Sequence, residues 1–289
     1  PVGISFFTFQ TMSYTLDIFY RKLKPVNSFA DFLFFVSFFP QLVAGPILRA
    51  SWFIPQINKQ LSLNKEQVAK ALLLIFTGLV KKGVIADYIS INFVDRVFDN
   101  PALYSGLENL LALYGYSLQV YCDFSGYSDM AVGLGLAMGF QFPKNFDSPY
   151  KSGSITEFWR RWHISLSSWL RDYLYVPMGG NRKGAGRTYF HLFATMLLGG
   201  LWHGANWTFA IWGAYHGFLL ALERMNGKKA YGRWMPRPAQ VAATFLLVMF
   251  GWVLFRAPEI GFAARYFQGL FGLNGWGAAF SPTDGGVLN

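Results

Sequence analysis

Charge and sulfur are both scarce in this sequence. Charged residues make up 14% of its 289 positions, where a soluble globular chain carries roughly 25%. The single cysteine, Cys122, excludes a disulfide scaffold, and one cysteine with four scattered histidines makes no zinc pattern. A G-x-S-x-G elbow is missing, because Gly126-Tyr127-Ser128-Asp129-Met130 lacks the final glycine. No Walker-type phosphate loop, fixed-period repeat or low-complexity tract is present. Charge is absent altogether from residues 32–48, 188–222, 238–255 and 266–283.

Apolar residues fill these stretches. The AVILMFWYC set makes up 53% of the chain and aromatics 19%, and uncharged runs of 17 to 35 residues suit a hydrocarbon layer about 30 Å thick. An all-α integral membrane protein is expected, a multi-helix bundle with broken, re-entrant and interfacial helices around a buried tunnel. The formal charge of +10 comes from 25 Lys and Arg against 15 Asp and Glu. In a membrane chain such residues gather in cytoplasmic loops against anionic headgroups, so the expected partners are membrane lipids and not nucleic acid. The chain starts at Pro1 with no visible signal peptide, as an internal piece of a longer protein would.

Residues 1–20 and 28–47 are largely apolar and are separated by Arg21, Lys22 and Lys24, while Arg49, Lys59, Lys65 and Lys70 follow the second segment. Basic residues on both sides fit a simple crossing poorly, and a re-entrant or broken element around Pro40, Gly45 and Pro46 resolves the conflict. Two tilted helices, 67–80 and 83–94, are expected to meet at Lys81 and Lys82. Two more, 109–122 and 130–143, are expected on either side of the polar interruption 121–130, where Asp123 suits either a helix cap or a hydroxyl contact. Residues 144–187 carry eight Lys or Arg against Asp147, Glu157 and Asp172. Ser154 and Glu157 have capping-box spacing. A helix from about 154 to 175 is expected to lie in the cytoplasmic interface, with Trp159, Trp162, Leu166, Trp169, Leu170 and Tyr173 forming one apolar stripe.

The 35 uncharged residues 188–222 would make a straight helix of about 52 Å, too long for one crossing. The natural break is Gly199-Gly200-Leu201-Trp202-His203-Gly204, and Arg182, Lys183 and Arg187 on one side and Arg224, Lys228 and Lys229 on the other argue for two passes or two broken helices. A final span is expected at 239–255 and a short interfacial helix at 260–272. An ionisable group at membrane depth is a functional candidate by default. His203 is the strongest, because it sits at the break between glycines. His163 lies on the apolar stripe, whereas His191 and His216 read better as structural. Gly179, Gly180, Asn181, Arg182, Lys183 and Gly184 form a basic, glycine-rich turn that suits either a phosphate or plain solvent.

Five ordered segments carry a resemblance: FFPQLVAGPI (38–47), GLVKKGVIAD (78–87), YCDFSGYSDMA (121–131), FWRRWHISLSSWLRDYLYVPMGGNR (158–182) and GLWHGANW (200–207). Together they are similar to the membrane-bound O-acyltransferases, in particular the bacterial alginate O-acetyltransferase branch, with the D-alanyl transfer proteins of teichoic acid as relatives. The resemblance covers nearly all of residues 1–257. It implies a single membrane-embedded acyltransferase domain over 1–289, multi-pass in the bacterial cytoplasmic membrane, with further helices ahead of Pro1. It also implies acyl transfer to hydroxyls of an exported polysaccharide such as alginate, from acetyl-CoA or an acyl carrier as co-substrate and with no bound cofactor or metal. Periplasmic or membrane proteins of a polysaccharide acetylation complex are the implied partners.

The same resemblance puts His203 in the active site and His163 at the family's second polar position. A sugar hydroxyl attacks a thioester poorly until a base takes its proton, and imidazole suits that task. Tyr121, Asp123, Asp129, Trp162, Asn206, Trp207, Arg182 and Lys183 are candidate substrate contacts, with Trp202, Trp207 and Trp212 as tunnel walls. His163 is expected to line the same cavity as His203. The sequence holds no obvious serine or cysteine nucleophile, which favours direct transfer, and Cys122 stays open as an acyl carrier. A transporter, a bis-histidine haem protein and a structural scaffold of an export complex are the rival readings. His191, His203 and His216 fall about 120° and 220° apart on a helix and share no face, which speaks against the haem.

Overall fold

The structure is a computed structural model that describes residues 3–42, 45–59, 62–227 and 235–273. Lys228, Lys229 and residues 274–283 of the last uncharged run lie outside the described residues. Those described are helical, with no strand among them. They form two compact units, each drawn from separate stretches of chain.

The first unit comprises residues 1–82, 124–149 and 159–180. Its helix α1 spans Ile4–Phe19 and α2 spans Phe29–Ser37. Extended backbone at Phe38 separates α2 from the short α3 (Phe39–Leu42), and α4 covers Ala50–Ile57. The chain thus breaks where Pro40 and its neighbours predicted a break. Phe35, Phe38, Leu48, Ala50, Phe53 and Phe140 form the core here, with Phe53 stacked on Phe140 at 5.0 Å.

Helix α5 (Lys65–Leu79) begins at a capping box between Asn64 and Gln67. It does not end at the lysine pair. The turns from Val80 to Ala86 widen to π geometry, and α6 (Asp87–Ile89), a second π segment and α7 (Asp95–Asp99) follow without interruption. The expected junction at Lys81 and Lys82 is therefore a widened stretch inside one helical run. The reason lies in charge pairing: Lys81 meets Asp129 at 2.6 Å and Lys82 lies over the Tyr127 ring, so neither lysine has to be left at a chain break.

The expected break at 121–130 is absent as well, because α8 runs unbroken from Gly106 to Ala137. No proline interrupts it, and its C-terminal part packs antiparallel on α5. A Cβ on Gly126 would come within 2.8 Å of the Gly78 carbonyl oxygen, and one on Gly133 equally close to that of Ala71. Glycine here lets two backbones touch. Asp123 lies in the middle of this helix and not at its cap position.

The second unit comprises residues 83–123, 150–158 and 181–289. Its 35-residue uncharged run folds as a hairpin of α11 (Ala185–His203) and α12 (Trp207–Met225), so the run is two helices and not one long one. A Cβ on Gly200 would meet the Phe209 carbonyl at 2.3 Å and one on Gly213 that of Met196 at 2.4 Å. Close antiparallel contact of this kind is how helices associate in lipid, where van der Waals packing drives assembly. Helix α13 (Arg237–Arg256) is the described helix long and apolar enough to cross a membrane, and α14 (Ile260–Leu270) follows. Arg256 pairs with Asp95 at 2.5 Å and lies over the Phe98 and Tyr116 rings. The buried Glu223 of α12 accepts the backbone N–H groups of Ile155 and Thr156, a carboxylate at the positive end of α9 (Ile155–Arg161).

Large apolar side chains point outward in both units. Leu72, Leu73, Phe76 and Leu79 of α5 are each more than half exposed, as are Phe190 and Phe218 of the hairpin. Water would penalise such faces.

Candidate functional site

His163 belongs to the first unit and His203 to the second, and each has its own surroundings. The expected helix 154–175 is not continuous. α9 ends at Arg161 and α10 spans Ile164–Leu170, followed by a π turn to Tyr175. Between them His163 adopts left-handed backbone angles, φ 42° and ψ 56°, a conformation that costs a non-glycine residue on the order of 1 kcal/mol or more. The segment 145–147 holds the break: Asp147 N–H donates to the Arg161 carbonyl and Ile164 N–H to that of Asn145, both at 2.9 Å. Ser154 does cap α9 through the Glu157 N–H, but the Glu157 carboxylate accepts from Gly153 rather than closing a box.

The tryptophan stripe also turns out differently. Trp162, Leu166, Trp169 and Tyr173 are buried, with Trp169 stacked 4.0 Å from Phe9 of α1 and donating its indole N–H to the Phe9 carbonyl. Spacings of three and four reveal a buried face without telling whether lipid or protein covers it. Here protein does.

The break turns the His163 side chain inward, where it is 2% exposed. Its Nδ1 lies 3.2 Å from Oδ1 of Asn145, and Phe124 meets the ring edge-to-face at 4.6 Å. The same Oδ1 accepts from the Ser165 N–H at 3.2 Å and the Ser165 hydroxyl at 2.9 Å. Asn145 Nδ2 donates to Ser128 Oγ at 3.1 Å, and Ser165 Oγ accepts the Ile47 N–H at 3.0 Å. Trp162 sits edge-on to Phe146.

His203 is the last residue of α11, next to Gly204 at the hairpin turn. Its ring is walled by Trp202 at 4.9 Å, Phe255 at 5.1 Å and Trp212 at 5.3 Å, with Phe209 at 6.2 Å. No hydrogen bond to this imidazole occurs among the described residues, and the residue is only partly buried. Asn206 caps α12 through the Thr208 N–H and donates to the Pro258 carbonyl, whereas Trp207 is 74% exposed. His191 and His216 are buried, the latter parallel to Phe158.

Of the other candidates, Asp129 is engaged with Lys81, and Tyr121 packs against Tyr150. Arg182 and Lys183 project from an exposed turn. Cys122 is buried, and no group of acidic, histidine or cysteine side chains able to hold a metal occurs among the described residues. Sequence reasoning passed over Asn145 and Ser165. A loop asparagine in PKNFDSP has the composition of any turn, and only the fold brings it to the histidine.

Helices with apolar outer faces, enclosing paired and hydrogen-bonded polar groups, make up a membrane-bound protein. The chain belongs to the membrane-bound O-acyltransferase family, whose model matches residues 6–254. Over 278 residues it is 48% identical to the probable alginate O-acetylase AlgI of Pseudomonas putida, covering 96% of this chain and 56% of that protein. It is 40% identical over 303 residues to a peptidoglycan O-acetyltransferase of Helicobacter pylori, covering 95% and 57%. To a teichoic acid D-alanyltransferase of Bacillus subtilis it is 34% identical over 277 residues, covering 88% and 68%. The chain spans about half the length of the alginate O-acetylases it matches.

Proposed function

We propose that this protein transfers an acyl group, acetyl in the first instance, from a thioester donor to hydroxyls of an exported polysaccharide such as alginate, with His203 as general base. The observation that carries the reading is the His203 ring, caged by aromatics, partly accessible and held by no hydrogen bond among the described residues. Its nitrogens are available to a substrate. The acceptor oxygen attacks the thioester carbonyl as the imidazole takes its proton, the C–S bond breaks, and the departing thiolate receives that proton. Such base catalysis contributes about 10²- to 10⁴-fold. The apolar walls keep water from the thioester.

The finer features belong to the same proposal. The chain works as one acyltransferase domain, multi-pass in the bacterial cytoplasmic membrane, with a re-entrant element near Pro40–Pro46 and a tunnel lined by Trp202, Trp207 and Trp212. Acetyl-CoA or an acyl carrier supplies the acyl group, and Arg182 and Lys183, beside flexible glycines, suit its phosphate. Tyr121, Asp123, Asp129, Trp162, Asn206 and Trp207 contact substrate, and His163 orients the acceptor or shares its proton network. Proteins of a polysaccharide acetylation complex are the partners. The D-alanyltransferase relative favours a second reading, D-alanyl transfer to a cell-wall polymer.

Proton NMR of the cell-surface polymer, from cells with the intact gene, without it, and with His203→Ala, tests the proposal. O-acetyl signals should require the gene and vanish with the variant. D-alanyl ester signals in their place would select the second reading. Normal acetylation by a well-inserted His203→Ala protein would overturn the catalytic assignment and leave a transporter or scaffold.

A further inference from the structure

The first unit holds a pocket of about 280 Å³ whose lining includes Asp17, Lys22, Arg49, Asp172 and Tyr173. The way α1 ends puts two of these side chains there. Arg21 takes a left-handed φ of 57°, and the helix closes with the paired bonds of a Schellman motif, Arg21 N–H to the Ile18 carbonyl at 2.9 Å and Lys22 N–H to that of Asp17 at 2.7 Å. The chain therefore turns back after Phe19, and the Lys22 ammonium lies over the Tyr20 and Tyr173 rings at 5.5 and 6.0 Å. Arg49 lies over the Tyr173 ring as well, at 5.3 Å, and donates through Nη2 to Asp172 at 2.6 Å.

Opposite charges on this pocket are left unpaired. Asp172 is satisfied by Arg49 and Arg171. Asp17 is 6% exposed, and its carboxylate accepts the Tyr173 hydroxyl at 2.9 Å but meets no cation among the described residues. A buried carboxylate is costly unless it is paired. Lys22 has no carboxylate within ion-pair distance among the described residues, and Arg49 has N–H groups beyond the one that Asp172 takes. Two opposite charges held apart on one pocket match a ligand that carries both signs. We propose that the pocket binds the headgroup of phosphatidylethanolamine, its ammonium on Asp17 and its phosphate between Lys22 and Arg49. Three N–H groups suit a carboxylate, and Arg and Lys suit a phosphate. The surroundings select a lipid over a soluble zwitterion. Val176 on the lining is exposed, as are Phe19 and Tyr20 beside Lys22, and aromatic side chains of this kind sit where membrane meets water.

The test is native mass spectrometry of the purified protein in detergent, titrated with palmitoyl-oleoyl lipids, reading the saturable adduct that Lys22→Ala weakens. Phosphatidylethanolamine should bind about tenfold more tightly than phosphatidylglycerol, which lacks the cation, and than phosphatidylcholine, whose nitrogen has no N–H to give; a hydrogen bond between charged groups is worth about that factor. Headgroups with one and two N-methyl groups should fall in between. Asp17→Asn keeps an acceptor for the Tyr173 hydroxyl and should erase the preference for phosphatidylethanolamine over phosphatidylglycerol. Lys22→Ala, at an exposed position, should weaken binding of both. Equal binding of phosphatidylcholine or phosphatidylglycerol by the unaltered protein would overturn the proposal, even if Asp17→Asn fails to fold. So would a preference that survives Asp17→Asn, or an adduct indifferent to Lys22→Ala. Water-soluble glycerophosphoethanolamine binding as tightly as the lipid would overturn the membrane as the source of the headgroup.

Discussion

His163 and His203 are both aromatic-lined imidazoles at helix breaks, yet they are built in opposite ways. His163 is buried and bonded through Asn145 to a network that includes Ser128, Ser165 and the Ile47 backbone. Among the described residues His203 makes no hydrogen bond; aromatic rings wall it and a glycine stands beside it. One ring is oriented in advance by its own protein; the other can turn to follow what it meets. A fixed ring suits holding a substrate group in one pose, and a less constrained ring suits moving a proton between two partners.

Replacing each histidine in turn is the most direct way to break this contrast. His203→Ala should remove about 3 to 5 kcal/mol of transition-state stabilisation, a loss of about 10²- to 10⁴-fold, with normal expression and elution in detergent. His163→Ala should leave a measurable remainder, read as kcat with a soluble oligosaccharide acceptor. If the His163 variant proves as inactive as the His203 variant, the division of roles collapses. If it behaves like wild type, the network around it is structural only.

Packing can be perturbed on one side of the comparison without touching either ring. Gly200→Val would drive a side chain into the Phe209 carbonyl, and overpacking of this kind typically costs about 1–3 kcal/mol. The hairpin should then lose thermal stability and activity together. An unchanged melting temperature would mean that the hairpin contact is looser than its glycines require.

The smallest effect concerns the polar end of the first unit. Asp172 accepts from Arg49 at 2.6 Å and from Arg171 at 2.7 Å. Burial alone would raise its pKa, but hydrogen bonds from Arg171 and Arg49 outweigh that and lower it. A carboxyl lowered in the folded state contributes stability above its unfolded pKa of about 3.9 and loses it as pH falls through the lower folded value. Asp172→Asn should therefore melt slightly below wild type at pH 7, by less than about 1 kcal/mol for so exposed a pair. The two proteins should converge below roughly pH 3. A constant gap across that range would assign the difference to packing.

How much of this could be read beforehand depended on range. The hairpin was legible, because 35 uncharged residues exceed one crossing and the glycines mark where they turn. So were α13 and α14, each a local pattern of apolar residues. Helix α8 was misread as two, since polar residues at 121–130 resemble a loop until Lys81 and Gly78 are seen to meet them from another helix. The break at His163 had no local sign either. No proline or glycine stands between 158 and 170, and the left-handed residue is held by backbone partners from 145–147. The site histidines could be singled out from composition alone, but Asn145 could not, since its meaning lies 18 residues away.

The carboxylate of Glu223 has a consequence for how the chain is made. It accepts the N–H groups of Ile155 and Thr156, 68 and 67 positions earlier, and Arg237 later adds its ion pair to Glu157. On a ribosome adding roughly 5–20 residues per second, the start of α9 emerges about 3 to 14 s before the group that satisfies it exists. During that interval its N–H groups must stay wet or be held by the insertion machinery. Membrane assembly of this protein is therefore completed backwards, with a late helix closing an early one.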